Sequence, residues 1–288
     1  MTVGRALKLL GRFAVEGMRP IAPAPHHPQP ETWSDAEITG AWLGHSTVLL
    51  NFFGLWVITD PVLAPRCGLR LGPLTVGPRR RVQPALRARE LPEIDVVLLS
   101  HAHMDHLDLW TLRRLRGKPH AVTAAGLRDL LAGMPFSGIT ELAWDQNATI
   151  QTRHGEMTVS AREVAHWGAR MQTDDWRGYC GFLMERNGRK IGFAGDTART
   201  SFRHWANGSE IDLLAMPIGA YNPWVHAHCN PEEAVEMAGE ARARLVLPIH
   251  LSTFRLSAEP AEEPITRFRA ALEKARIAGG EIGQTFRV

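Results

Sequence analysis

The chain has 288 residues, 44 % of them hydrophobic and 22 % charged, and a formal net charge of +3, so it can bury a sizeable core in one or two domains. Its three widely spaced cysteines, Cys67, Cys180 and Cys229, give neither a disulfide framework nor a cysteine-based zinc motif, which favours a reducing compartment. No segment reaches the roughly 18 to 20 uninterrupted apolar residues of a membrane span, and we expect a cytoplasmic protein.

The N-terminal segment mixes cations with apolar side chains and therefore lacks the continuous apolar core of a signal peptide. We expect a basic amphipathic helix whose apolar stripe packs on the body of the protein; peripheral contact with a membrane and pairing in a homodimer are the alternatives. Because a proline-rich connector follows, we set residues 1–30 apart from a single domain in residues 31–288. The stripe consists of Leu7, Leu10, Ala14 and Met18.

Short strand-like runs alternate with turn residues along the body. Helical periodicity follows at four places, and the last two segments begin at or near a proline with acidic neighbours, as helix starts do. Strands with interspersed helices and no repeat predict a layered α/β protein. The predicted strands include 38–43, 47–52, 55–59 and 96–99, and the predicted helices are 107–115, 125–131, 231–241 and 264–278.

The densest group of metal-binding side chains directly follows the run 96–99. Within six residues stand His101, His103, Asp105 and His106. Neutral imidazole and carboxylate suit zinc, and a strand end that leads into a short loop can direct several ligands at one point. Four ligand-type side chains in six positions favour a metal site over a chance cluster of histidines.

Three more side chains of the same kind follow later strand-like runs. His166 comes after 157–164, Asp196 comes after 190–195, and His250 comes after 245–249. Each alone could be structural, but strand ends are the positions from which sheets present functional groups. Because ligands spread over this length must converge, one domain is favoured over two.

The order of these motifs resembles the metallo-β-lactamase superfamily, in which His-x-His-x-Asp-His is followed by a single His, an Asp and a last His. The resemblance spans the chain from about Trp42 to the C-terminus, and it implies a four-layer αββα sandwich of two mixed β-sheets flanked by helices. It also implies two zinc ions, with iron or manganese as alternatives. One ion would be held by His101, His103 and His166, the other by Asp105, His106 and His250, with Asp196 bridging them.

Flanking segments narrow the resemblance to the branch of N-acylphosphatidylethanolamine-hydrolysing phospholipase D and its bacterial relatives. Two departures concern positions that are not ligands, so they bear on the substrate: Met104 replaces a tyrosine, and Leu251-Ser252 replaces a Trp-Gly pair. The segments that carry the resemblance include Trp42-Leu43-Gly44-His45-Ser46-Thr47, Gly77-Pro78-Arg79-Arg80 and His228-Cys229-Asn230-Pro231.

The chemistry expected of two zinc ions is hydrolysis. Zinc lowers the pKa of bound water from ~15.7 to ~7, so a hydroxide held between two ions could attack an ester or a phosphodiester. Asp105 and His228 are the candidate catalytic residues. The resemblance implies that His228 lies near the substrate phosphate, and the alternative is a residue that merely precedes a helix capped by Asn230.

Five further residues are candidates for supporting roles. His45, Asp60 and Asp108 could orient the ligating imidazoles through their free N–H groups, or they could form turns. Arg79 and Arg80 belong to a cationic run that could attract an anionic substrate, although such a run is often only a solvated face.

The favoured function is a zinc-dependent phosphodiesterase of phospholipase D type that acts on a phospholipid-like or other phosphodiester substrate. A dizinc lactonase or carboxylic-ester hydrolase is the alternative. Nucleic-acid processing and a non-enzymatic metal-binding module are less favoured, because no RNA-grasping arm or large insertion is visible and all seven predicted ligands are present. We therefore expect a small-molecule or lipid-like anionic substrate and no nucleic-acid partner.

Overall fold

The computed structural model describes residues 19–288 except Pro73 and Gln172. The predicted amphipathic helix falls within the first 18 residues and lies outside the described part. None of the described helices has the length and hydropathy that crossing a bilayer requires.

Strands dominate the described chain, and three α-helices, α1 (Leu109–Leu112), α2 (Pro231–Glu240) and α3 (Glu263–Ala271), accompany them. Short 3₁₀ turns occur at Pro30–Thr32, Ala88–Glu90, Arg128–Leu131 and Lys274–Arg276. The strands are β1 (Ile38–Gly44), β2 (Thr47–Phe52), β3 (Leu55–Thr59), β4 (Leu69–Leu71), β5 (Leu74–Val76), β6 (Val96–Leu99), β7 (His120–Ala124), β8 (Gly138–Leu142), β9 (Asn147–Thr152), β10 (Gly155–Arg162), β11 (Gly181–Arg186), β12 (Arg189–Phe193), β13 (Ile211–Pro217), β14 (Ala243–Ile249) and β15 (Thr285–Arg287).

Two mixed sheets contain all of these strands except one hairpin. The N-terminal sheet has the order β15-β1-β2-β3-β6-β7-β8, antiparallel up to β3 and parallel from β3 to β8. The C-terminal sheet has the order β14-β13-β12-β11-β10-β9, antiparallel from β9 to β12 and parallel from β12 to β14. The separate hairpin pairs β4 with β5.

The two sheets share one hydrophobic core and therefore lie face to face. Leu50 and Leu98 of the N-terminal sheet belong to the same buried cluster as Phe182 and Leu214 of the C-terminal sheet. All four residues of β6 are buried, as expected for a parallel strand covered on both sides, and its sequence is a continuous apolar run. The predicted mixed α/β fold with two large sheets is confirmed.

The helices are shorter than predicted. The segment predicted at 107–115 is the single turn of α1, and the segment predicted at 125–131 is a 3₁₀ turn. The last predicted helix, 264–278, ends at Ala271, because the chain turns back onto the C-terminal sheet, where the Ala278 N–H donates to the Val246 carbonyl at 3.0 Å. Only α2 matches its predicted bounds, and it packs against β13, β14 and α3.

Candidate metal centre

All seven predicted ligands lie in loops that follow strands. The run from His101 to His106 follows β6, His166 follows β10, Asp196 follows β12 and His250 follows β14. In open α/β sheets the carboxyl ends of parallel strands present functional groups at a common edge. This arrangement brings the ligand atoms into two groups whose members lie within 4.8 Å of one another.

The first cluster comprises His101, His103, His166 and Asp196. His103 Nδ1 lies 2.9 Å from His101 Nε2 and 3.2 Å from His166 Nε2. Both partner rings use their other nitrogen elsewhere: His166 Nδ1 donates to the Ala227 carbonyl at 2.9 Å, and His101 Nδ1 contacts Ser100 Oγ at 2.8 Å. Three ring nitrogens therefore converge within hydrogen-bonding distance, an arrangement that a cation between them would stabilise.

The second cluster comprises Asp105, His106 and His250. His250 Nε2 lies 3.5 Å from Asp105 Oδ2, and His106 Nε2 lies 3.7 Å from the same oxygen. His106 Nε2 and both ring nitrogens of His250 are buried without a hydrogen-bond partner. Leaving such a group unsatisfied costs about 1 to 3 kcal/mol, so these atoms fit a site for an ion.

Asp196 stands between the two clusters. Its Oδ2 lies 3.6 Å from His166 Nε2 on one side, and 3.1 Å from His106 Nε2 and 3.3 Å from His250 Nε2 on the other. Its Oδ1 is buried without a hydrogen-bond partner. A carboxylate in this position could contact a cation held by either cluster.

Burial and mutual charge set the protonation of these groups. Burial lowers the pKa of His101 well below its ordinary value and that of His166 to about 3, so both are neutral. Burial alone would raise the pKa of Asp196 and of Asp105, but the neighbouring histidines, His106 foremost, hold both well below the usual range. Neutral imidazoles and ionised carboxylates are the forms that bind a divalent ion.

His250, like His106, differs from the other histidines of the centre, whose pKa values are lowered. Burial would lower its pKa, but the carboxylates of Asp196 and Asp105 outweigh burial and raise the pKa to about 9. A proton therefore balances these carboxylates where no cation is bound, and a metal ion would displace that proton.

Asp60 contacts one predicted ligand directly and a second through Ser100. The fully buried carboxylate accepts from His106 Nδ1 at 2.6 Å and from the Ser100 amide at 2.8 Å. The Ser100 hydroxyl also donates to Asp60 while it contacts His101 Nδ1. Burial raises the pKa of Asp60, and the bonds from His106 and Ser100 oppose this shift.

His45 holds Asp105. Its Nε2 lies 2.9 Å from Asp105 Oδ2, and burial lowers the pKa of His45 to about 3, so the neutral ring donates to the carboxylate. His45 has a left-handed backbone with φ of 54°, which its hydrogen bonds stabilise. Its amide donates to Thr253 Oγ1 at 2.7 Å, and its carbonyl accepts from the His250 amide at 2.9 Å.

His228 lies next to both clusters. Its Nδ1 is 3.8 Å from Asp196 Oδ2, and it is buried without a hydrogen-bond partner. Two residues later Asn230 caps α2: its side chain accepts from the Glu233 amide, and Glu233 accepts from the Asn230 amide. The loop that starts the helix therefore also brings His228 to the site.

Two predicted supporting residues have other roles. Arg80 is only 2 % exposed, and its guanidinium donates to the carbonyls of Val62, Ala64 and Val82, so it connects buried loops and the prediction that it binds substrate is corrected. Burial lowers its pKa to about 10.

Asp108 caps α1, where its carboxylate accepts from the Trp110 and Thr111 amides and from the Thr111 hydroxyl. These hydrogen bonds reach no ligand, which corrects the prediction that Asp108 orients one. Arg79 lines a cavity of about 250 Å³ together with Arg81 and Arg255, and none of the predicted ligands lines that cavity.

Three residues that contact the predicted ligands were not identified from the sequence. Ser100 and Thr253 are adjacent to or near ligands in the chain, and that adjacency was the only available signal for them. The Trp167 ring lies 4.6 Å from that of His103 and 4.4 Å from that of His166, between centroids, and is 45 % exposed. A tryptophan directly after a predicted ligand was again the only signal.

Comparison with known proteins agrees with this centre. A family model described as "Beta-lactamase superfamily domain" matches residues 55–251. An uncharacterized Mycobacterium tuberculosis protein is 35 % identical over 272 residues, which is 90 % of this chain and 71 % of that protein. The mitochondrial N-acyl-phosphatidylethanolamine-hydrolyzing phospholipase D of Saccharomyces cerevisiae is 30 % identical over 269 residues, which is 88 % of this chain and 56 % of the yeast protein.

A solved structure shows the same fold. A metallo hydrolase of Ignicoccus hospitalis aligns with a TM-score of 0.63 at 20 % identity, over 87 % of this chain and 98 % of its own. The matched family segment includes all seven predicted ligands, and it covers most of the described chain. The chain therefore belongs to the beta-lactamase superfamily and is one of its metal-dependent hydrolases.

Proposed function

We propose that this hydrolase cleaves phosphodiesters, with a phospholipid-like molecule as substrate, and that its two clusters hold two zinc ions. One observation supports the two-ion site most directly: the carboxylate of Asp196 lies within 4.0 Å of ring nitrogens from both clusters. The donor set of imidazoles and carboxylates suits zinc. The name of the yeast relative, a phospholipase D, supports the phosphodiester substrate.

The bound ions would supply a nucleophile at neutral pH and neutralise negative charge on the phosphate. The protein positions the ligands for this role. Asp60 and Ser100 hold His106 and His101 so that their Nε2 atoms face the site, and His45 holds the carboxylate of Asp105. Ligands held in this way lose little conformational freedom when they bind.

Two side chains are proposed to act on the reacting groups. His228 presents a buried ring nitrogen beside Asp196, from which it can donate a hydrogen bond to a phosphate oxygen or to the departing oxygen. Asp105 presents a carboxylate oxygen at the second cluster, from which it can orient an attacking water. Neither role requires a side chain from another part of the protein to move into the site.

The test compares three substrates on the zinc-loaded full chain: bis(p-nitrophenyl) phosphate, an N-acylated phosphatidylethanolamine and a simple lactone. We expect faster cleavage of the two phosphodiesters. Robust lactone hydrolysis without detectable phosphodiester cleavage would contradict the proposal. Protein treated with a chelator and then reloaded with zinc is the control, because any contaminating metal-independent esterase would survive the chelator.

A further inference from the structure

A cavity of about 740 Å³ lies between the β4–β5 hairpin and the loop segment that carries Met104. One wall is the β4–β5 hairpin, and the opposite wall comprises Met104, α1 and the loop after His166. Its volume falls in the range of about 300 to 1,000 Å³ typical of small-molecule sites. The apolar side chains that line it are Leu69, Leu74, Met104, Leu109, Trp110 and Met171.

None of the predicted ligands lines the cavity, but two of its described lining residues are close to them in the chain. Met104 stands between the predicted ligands His103 and Asp105, and Met171 follows His166 in the same loop. The wall residue Met104 therefore connects the cavity to the predicted ligands along the chain.

The walls of this cavity are also cationic. Four arginines line it, and among its described lining residues Asp108 is the only carboxylate. The Asp108 oxygens accept from the backbone and side chain of α1, so this carboxylate is already hydrogen-bonded within the fold. This positive charge favours a substrate that carries negative charge over a neutral one. The four arginines are Arg66, Arg70, Arg113 and Arg170.

The hairpin exposes apolar side chains at this cavity. Leu69 is 44 % exposed and Leu74 is 69 % exposed, and Met171 across the cavity is 49 % exposed. Large apolar side chains grouped at the wall of a cavity mark a surface that binds a partner or ligand. The combination of apolar walls with cations fits an amphiphile, an apolar chain attached to an anionic group.

We propose that this cavity binds the hydrocarbon chain of an anionic substrate, and that Leu69, Leu74 and Met171 determine the preference for chain length. The proposal rests on the proposed function, which places the phosphodiester at the metal clusters. Each methylene that leaves water strengthens binding by up to about fourfold. A substrate with a longer chain should therefore bind more tightly until the cavity is full.

The first experiment measures kcat and KM for p-nitrophenyl alkyl phosphates with ethyl, butyl and octyl chains, below their aggregation concentrations. The scissile group is the same in all three, so only binding of the chain differs. We expect kcat/KM to rise at least about tenfold from ethyl to octyl, mainly through KM. Equal kcat/KM for the three substrates would overturn the proposal.

A pair of matched variants tests where the hydrocarbon chain of the substrate binds. Leu74→Ser removes an apolar wall residue, and we expect it to reduce the octyl-to-ethyl ratio of kcat/KM by about five- to tenfold. The control is Leu71→Ser, since Leu71 is 56 % exposed on the same hairpin and does not line the cavity. An equal reduction in both variants would show that the hairpin as a whole is required and would overturn the assignment of the cavity wall.

A binding measurement separates this proposal from the proposed function. Calorimetry on the zinc-loaded protein compares octyl phosphate with ethyl phosphate, which requires no turnover. Tighter binding of octyl phosphate without cleavage of any phosphodiester would retain the chain site and reject the phosphodiesterase. Cleavage of all three diesters with no preference for octyl phosphate in binding would retain the phosphodiesterase and reject the chain site.

Discussion

At the scale of single residues, Asp60 links several parts of the metal centre. It accepts hydrogen bonds from His106 and from the amide and hydroxyl of Ser100, and Ser100 in turn contacts His101. One buried carboxylate thus contacts a predicted ligand of one cluster and, through Ser100, a predicted ligand of the other. Such outer partners typically contribute about 10- to 100-fold to metal affinity.

Asp60→Asn should therefore weaken zinc binding by about 10- to 100-fold, because the amide cannot accept from both His106 and Ser100 as the carboxylate does. Competition with a chromophoric chelator measures the affinity. Asp108→Asn is the matched control: asparagine also caps helices, and Asp108 contacts no ligand, so we expect unchanged zinc affinity. Equal loss in both variants would contradict the role of Asp60.

His228→Ala should lower kcat by about ten- to a thousand-fold and leave the zinc content unchanged, because we propose that His228 acts on substrate and not on metal. Metal analysis together with steady-state kinetics tests both parts. His226→Ala is the control, since His226 is exposed two residues away in the same loop. Loss of zinc in parallel with activity would make His228 a ligand.

At the scale of elements, the turn after β12 depends on a close approach of backbone. Gly195 has φ of 62° and precedes the bridging Asp196. A Cβ at this position would lie 2.8 Å from Ser100 Cβ and 3.0 Å from Ser100 Oγ. A side chain here would thus push against the loop that starts the first cluster.

Gly195→Ala should destabilise the protein by roughly 2 to 4 kcal/mol, since left-handed strain adds to the steric overlap. Gly188→Ala provides the control, because Gly188 has φ of 72° and nothing lies within 4 Å of the added Cβ. For this variant we expect a loss of only about 1 kcal/mol. Equilibrium denaturation in urea measures both, and equal losses would show that the contact with Ser100 is unimportant.

At the scale of the whole molecule, the metal centre connects both sheets. Its predicted ligands come from loops after β6 in the N-terminal sheet and after β10, β12 and β14 in the C-terminal sheet. An ion held by such ligands binds the folded chain and not the unfolded one. Metal binding therefore adds to the free energy of unfolding of the whole protein.

Zinc analysis of the purified protein should show close to two ions per chain, and Asp196→Ala should lower the occupancy of the second ion most. Removal of the metal should reduce the free energy of unfolding by about 4 kcal/mol for each bound ion where free zinc exceeds that ion's dissociation constant a thousandfold. Calorimetry with and without a chelator measures the change. An unchanged Tm, or two tightly bound ions in the Asp196→Ala variant, would contradict the shared centre.

The sequence alone determined about half of the strands, the superfamily and the candidate ligands. Strands such as β2 and β3 follow from local apolar runs bounded by turn residues, and the group from His101 to His106 is recognisable because four ligand types fall within one short loop. These features depend only on residues that are close together in the chain, so they can be recognised without knowledge of the tertiary structure.

Only the tertiary structure decided which charged residues support the site. Arg79 and Arg80 are neighbours in the same cationic run and cannot be distinguished by sequence. In the structure, Arg80 is buried and donates to a carbonyl of another loop. Asp60 and Asp108 both suited a turn, and only Asp60 meets ligands, across 46 residues for His106. Burial and hydrogen-bond partners depend on contacts between distant segments, and no local pattern encodes them.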